Sequence, residues 1–302
     1  MSKMHGLVLL VLCGLLMLGS SVYAQSEKGH YVAGVEGIKG SSLPPPGVYF
    51  RWYNAFYNAG SLYDGNGDEA PVGFDVGVYA MVNRLIWITP KKILGGYFGM
   101  DMIVPLIRTD LSINAAGVDD SQFGLGDLYI EPATISWHGP RYDAAVGLSF
   151  YLPVGQYDKA EPASAGQDFT TTMLTFGSTF YLDPARTWSL STLFRYEIHS
   201  EKGETAVKPG QNLVLEWGLA KTVNKIWDIG LAGYYVGQVT DDSGADMTWD
   251  ASVHDRVFAF GPEVSVFIMP KKMFLSARTL FETGAKDRSQ GNMTCITLTK
   301  IF

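Results

Sequence analysis

The stretch Trp188-Ser189-Leu190-Ser191-Thr192-Leu193-Phe194-Arg195-Tyr196-Glu197-Ile198 decides the fold class. Successive side chains on a β-strand point to opposite faces. Trp188, Leu190, Thr192, Phe194, Tyr196 and Ile198 therefore share one face. Ser189, Ser191, Arg195 and Glu197 share the other, interrupted by Leu193. The next apolar segment repeats the pattern, with Leu213, Leu215, Trp217 and Leu219 opposite Asn212, Glu216, Gly218 and Thr222. Phe258, Phe260, Val264, Val266 and Ile268 against Glu263 and Ser265 make a third case. In each, one face is greasy and the other is polar or tiny.

Reading outward from these segments gives twelve strands, at 47–58, 72–89, 93–108, 123–137, 141–154, 168–182, 187–198, 211–223, 226–239, 254–268, 272–283 and 291–302. The fourth and eleventh alternate poorly. Connection lengths alternate as well. Long ones fall at 59–71, 109–122, 155–167, 199–210, 240–253 and 284–290; short ones fall at Pro90-Lys91-Lys92, His138-Gly139-Pro140, Asp183-Pro184-Ala185-Arg186, Asn224-Lys225 and Pro270-Lys271. Outer-membrane barrels have short periplasmic turns and longer external loops, whereas a soluble sandwich has no reason to sort its loops by length. Charge follows the same division. Lys91, Lys92, Arg141, Arg186, Lys225, Lys271 and Lys272 cluster at the short turns, while the long connections hold acids such as Asp64, Asp68, Asp119, Asp120, Asp241 and Asp242. Trp87, Trp137, Trp188 and Trp227 lie beside short turns, where amphipathic rings form a membrane-interface girdle; the competing reading makes them ordinary core residues.

Composition agrees. Hydrophobic residues make up 47% of the chain and charged residues 18%, below the ~25% charge usual for soluble domains. No apolar run long enough for a spanning helix follows Ala24. Lys3, the apolar run Leu7 to Leu18 and the small residues before Ala24 read as a secretory signal peptide over 1–24. Removing it leaves Cys295 as the sole cysteine, so no internal disulfide is possible. A net charge of -7 argues against a nucleic-acid partner. The expectation is an all-β chain: a transmembrane antiparallel β-barrel of about twelve strands over 47–302, in the cell outer membrane, with both termini in the periplasm. Segment 25–46, ending in Pro44, Pro45 and Pro46, is expected to lie below the barrel or tuck into it as a plug. The terminal Phe302, with Ile296 and Leu298 on its face, is expected to serve as the mark that barrel-assembly machinery recognises; Lys300 departs from that apolar pattern and is expected to snorkel to the interface.

Several segments resemble the family of proteins of the meta-pathway of phenol degradation, which are treated as outer-membrane transport proteins. They are Leu43-Pro44-Pro45-Pro46-Gly47; Gly124-Leu125-Gly126-Asp127 with Pro132 and Trp137; Pro153-Val154-Gly155-Gln156-Tyr157; Tyr196-Glu197-Ile198; Gly233-Tyr234-Tyr235 with Gln238 to Asp242; Gly261-Pro262; and Arg288-Ser289-Gln290-Gly291. Ser289 stands where the family has proline. The likeness runs from about residue 30 to the C-terminus, and it resides in the order and spacing of the segments, not in any one. It implies an outer-membrane barrel linked to degradation of aromatic compounds, and does not supply a substrate.

Inward-facing charges are the candidates for selectivity in such a lumen. The alternation assigns Arg195, Glu197, Glu216 and Glu263 to that face, and Asp101, Arg278 and Glu282 join them by weaker alternation. The other reading is that these charges pair and brace the barrel without touching a solute, because buried charges must be paired whatever their role. Asp64-Gly65-Asn66-Gly67-Asp68 has the oxygen spacing of a calcium loop, but Glu69 replaces the needed glycine and no helices flank it, so it reads as a solvated acidic loop. Gly124-Leu125-Gly126 lacks the strand–turn–helix context of a phosphate site, and no cofactor or metal is expected. His199-Ser200 sits where outer-membrane lipases carry their catalytic pair, yet adjacent strand residues face opposite sides. No catalytic residue is assigned and no enzyme is expected. The function expected is passage of a small, aromatic or hydrophobic solute, with outer-membrane lipid and lipopolysaccharide as surroundings. A structural or surface barrel with a closed lumen, and less so a lipolytic enzyme, are the competing classes.

Overall fold

A computed structural model describes residues 29–302, and the expected signal peptide with the first residues of segment 25–46 lies outside them. The strands are β1 (Gly47–Tyr63), β2 (Phe74–Ile93), β3 (Gly96–Ile113), β4 (Val118–Leu125), β5 (Leu128–His138), β6 (Tyr142–Leu152), β7 (Thr171–Tyr181), β8 (Trp188–His199), β9 (Asn212–Val223), β10 (Trp227–Gln238), β11 (Arg256–Ile268), β12 (Met273–Lys286) and β13 (Arg288–Ile301). Each pairs antiparallel with its neighbours, β13 returns to β1, and β2 pairs with β3 to close the circle. β4 and β5 are stacked end to end along β3. β4 pairs with its far half, from Leu106 to Ile113, and β5 with its near half, from Tyr97 to Ile103. The result is a closed antiparallel barrel of twelve staves. Closure leaves no unpaired edge, which is what a β-structure needs in hydrocarbon, where no water satisfies a free N–H or C=O. Among the described residues no helix is long and apolar enough to cross a membrane.

The alternation that predicts the barrel is its wall. On β8, Ser189, Ser191, Arg195, Glu197 and His199 are buried toward the lumen, while Trp188, Leu190, Phe194 and Ile198 are exposed outside. Phe176 on β7 and Phe260 on β11 are each 55% exposed. Solvent-exposed apolar patches on soluble monomers rarely exceed a few hundred Å², and a wall greasy all round is instead a surface for lipid tails. Trp87, Trp188 and Trp227 are exposed on the outer wall near the rim of short turns. Trp137 lies at the same rim, its indole Nε1 donating to Leu94 O at 2.9 Å. At the C-terminus, Ile296 and Phe302 are exposed, and the Lys300 ammonium donates to Lys271 O at 2.7 Å.

Four connections differ from the sequence reading, the first being 59–71, into which β1 runs as far as Tyr63. Residues 109–122 are not a loop: β3 and β4 continue through most of them and turn at the 3-10 segment Asn114–Ala116, with Gly117 at φ 66. Residues 284–290 are likewise strand, turned at Asp287 with φ 47. Beyond the hydrocarbon both faces of a strand meet water, so the polar–apolar alternation lapses although the ladder continues. Arg108, bonded to Asp110 and Ser121, shows such a polar stretch. At the other rim β2 runs through Pro90-Lys91-Lys92, and the chain turns at Leu94 (φ 50) and Gly95 (φ 80).

Candidate functional site: a lumen divided by the N-terminal segment

Residues 29–46 form no strand and lie against the inward faces of the barrel. Their course needs left-handed backbone at Gly34 (φ 85) and Gly37 (φ 68), which only glycine adopts without strain. At Gly37 a Cβ would also collide with the Glu263 carboxylate and the Arg278 guanidinium.

A backbone inside a barrel must find partners for its own N–H and C=O groups, and the wall supplies them. Tyr31 N donates to Glu197 at 2.9 Å, Glu36 N to Glu216 at 3.3 Å, and Ile38 N to Glu263 at 2.8 Å. Arg278 donates to Val35 O at 2.5 Å and to Gly34 O at 3.2 Å. Side chains add to this. The Tyr31 hydroxyl donates to Glu216, His30 bridges Asp127 at 2.9 Å and Thr171 at 2.6 Å, and Lys39 meets Asp228 at 2.6 Å.

The central contact is Glu36. Its Oε2 lies 2.6 Å from Arg51 on β1, and its Oε1 lies 2.6 Å from Arg84 on β2 and 3.5 Å from Arg195 on β8. Arg51 and Arg84 face each other directly across the β1–β2 ladder. Like charges in that register repel, and a shared carboxylate offsets the repulsion. Arg84 also meets Asp101 at 2.7 Å and Glu131 at 3.6 Å. Arg195 stacks over the Tyr31 ring at 3.9 Å.

All seven charges assigned to the inner face are there. Arg195, Glu197, Glu216, Glu263 and Arg278 are buried, as is the Asp101 side chain. Glu282 accepts from Tyr57 and Tyr234, each at 2.7 Å, apart from the others. Arg278 pairs with Glu263 at 3.0 Å, and Arg195 approaches Glu216 at 3.8 Å. Glu36, Arg51, Arg84, Glu131, His30 and Asp127 were missed. For Arg84 a signal existed: Arg84, Ile86 and Ile88 alternate inward against Leu85 and Trp87. Glu36 sits in a segment with no periodicity.

Two cavities lie on either side of this ion-paired septum, and Glu36, Arg84 and Arg195 border both. The larger, about 520 Å³, reaches toward the rim of short turns past Lys39, Ser42, Pro45 and Ile301. The smaller, about 120 Å³, lies toward the rim of long loops. Tyr53, Tyr129, Tyr151, Val82, Ile103 and Met173 wall it, and Pro105 and Ile107 continue the apolar side. The acidic loop 64–68 is remote from both. There the N–H groups of Asp68 and Asn66, 3.0 and 2.9 Å from Asp64 Oδ1, hold the Asp64 carboxyl below the usual carboxylate range.

Fold and lumen together define a barrel of the outer-membrane type. The chain belongs to the family described as "Putative MetA-pathway of phenol degradation", whose model matches residues 59–298. Among solved structures it is similar to an outer membrane channel from Pseudomonas putida F1, with a TM-score of 0.77, 12% identity, and coverage of 92% of this chain and 100% of that one. It is also similar to the translocator domain of the autotransporter NalP from Neisseria meningitidis (TM-score 0.54, 11% identity, 87% and 91% covered). The transport unit of the autotransporter AIDA-I from Escherichia coli gives a TM-score of 0.54 at 9% identity, with 85% and 91% covered. At these identities the likeness establishes the architecture. No curated protein matches the chain in sequence.

Proposed function

We propose that this protein is a channel of the cell outer membrane that passes small aromatic or hydrophobic solutes, and that it is not an enzyme. The observation that carries the reading is the pair of cavities in series inside a lipid-facing barrel, the upper one mostly apolar and lined by four tyrosines, Tyr31, Tyr53, Tyr129 and Tyr151. A general porin keeps a continuous polar channel, whereas an apolar chamber selects rings and alkyl groups by removing them from water. The family's link to phenol degradation and the similarity to an outer membrane channel support the same reading. His199 bonds to Thr171 at 2.7 Å and to Asn212 at 3.1 Å, while Ser200 bonds to Thr170 and Glu201, so the two do not form a nucleophile–base pair. Phe302 as the assembly signal, and lipopolysaccharide around the acidic long-loop rim, belong to the same proposal.

The test is uptake of radiolabelled phenol into proteoliposomes carrying the purified protein. Phenol crosses unaided bilayers as well, so the readout is the increment over protein-free vesicles. The expected result is saturable, protein-dependent uptake; an increment of zero for phenol and for other small aromatics overturns the reading. One observation favours a second reading, a structural barrel with a closed lumen: the septum at Glu36 joins opposite walls and separates the two cavities. Under that reading no solute is transported and no variant at the septum opens a conducting path.

A further inference from the structure

The upper cavity combines two features that a neutral ring does not need. Its sides are mostly apolar and aromatic, with His30, Asp127 and Gln167 also lining it, and Arg84 and Arg195 stand on its border, each 5% exposed. Three of their buried donors, Arg84 Nε and Arg195 Nε and Nη1, have no hydrogen-bond acceptor among the described residues. The Glu216 carboxylate 3.8 Å from Arg195 Nη1 is too far for a hydrogen bond. Buried guanidinium donors left without acceptors are costly, and a planar carboxylate fits their fork best. Arg84 already meets Asp101 at 2.7 Å and Glu131 at 3.6 Å, and one further carboxylate lies between the two guanidinium groups. Glu36, carried on the N-terminal segment, binds Arg84, approaches Arg195 and borders both cavities. Its carboxylate occupies the place that the carboxylate of a solute would take.

We infer that the upper cavity is a binding site for an aromatic monocarboxylate, whose ring lies among Tyr53, Tyr129, Val82 and Met173 and whose carboxylate displaces Glu36 from Arg84 and Arg195. The inference rests on the channel reading above and deepens it. An apolar cavity of ~150 Å³ accommodates a benzene ring, and this one, about 120 Å³ before Glu36 moves, is of that order. The exchange keeps one carboxylate on Arg84 and Arg195 while Glu36 stays paired with Arg51, 2.6 Å from its Oε2, so two carboxylates then face three guanidinium groups. A neutral ring brings no such replacement, so it leaves the septum in place.

Equilibrium dialysis of the purified, detergent-solubilised full chain against radiolabelled benzoate, and separately against phenol, tests this. Benzoate is expected to bind saturably at one site, about tenfold or more tighter than phenol. Glu36→Gln removes the competing charge and is expected to tighten benzoate binding by about tenfold while leaving phenol unchanged. Val82→Trp, which fills the ring chamber without touching a charge, is expected to abolish benzoate binding. Benzoate that binds no tighter than phenol, or equally in wild type and a folded Glu36→Gln, overturns the proposal. So does retention of binding in a folded Val82→Trp. If either variant fails to fold, the comparison of benzoate with phenol on the wild type decides. Phenol uptake into proteoliposomes without benzoate binding overturns this inference and leaves the channel reading standing; uptake of neither overturns the channel reading as well.

Discussion

The β8–β9 wall and the β2–β3 wall face each other across the lumen and solve different problems. On β8 and β9 the inward side chains include Ser189, Ser191, Arg195, Glu197, Asn212 and Glu216, all buried and mostly hydrogen-bonding to the N-terminal segment or to each other. On β2 and β3 the inward positions Val82, Ile103, Pro105 and Ile107 are apolar, as are Leu85, Trp87 and Met102 on the outside. The first wall holds a backbone and therefore needs acceptors. The second borders a cavity and is mostly apolar there, with the Arg84–Asp101 pair as its lumenal charges. On β2 and β3 the loss of alternation falls where the wall borders the upper cavity.

Glu36 joins the two walls, so Glu36→Ala is the change expected to have the largest effect. It leaves Arg51, Arg84 and Arg195 facing one another, and breaking a buried ion pair in this way costs about 3–5 kcal/mol, measurable by denaturant titration in lipid. A loss within experimental error would mean that the septum does not couple the walls. Phe176→Arg, on the lipid face of β7, is next, at about 2–4 kcal/mol if it sits near the midplane. Equal stability of this variant and wild type in bilayers would sink the assignment of that face to lipid. Gly37→Ala forces a left-handed alanine, a cost of about 1–2 kcal/mol before the clash with Glu263 is added. It should increase proteolysis of residues 29–46 while the barrel stays intact; unchanged digestion would show that the segment is not seated there. Asp110→Asn removes only the exposed partner of Arg108 at the far end of β3, and no measurable stability change is expected.

Much of the barrel was legible because a closed wall imposes a period of two on strands such as β8, β9 and β11. The seven inward charges followed from the same period. The ends of the long strands were not legible, because Asp110–Ser121 and the residues around Asp287 lie where both faces meet water and no face has to be apolar. Glu36 was hidden for a different reason. Its role depends on where an irregular segment crosses the lumen, and only the register that sets Arg51 opposite Arg84 shows that an anion is needed between them. The upper cavity was hidden because β3 is apolar on both faces from Met102 to Ile107, which in sequence looks like an ordinary buried strand.

Ion conductance in planar bilayers puts the septum to the most direct test, comparing wild type with Glu36→Ala at the same salt. Two cavities parted by one carboxylate on three guanidinium groups should conduct in rare, small steps, and loss of that carboxylate should produce larger or longer openings. Indistinguishable traces from the two proteins would contradict the division of the lumen at Glu36.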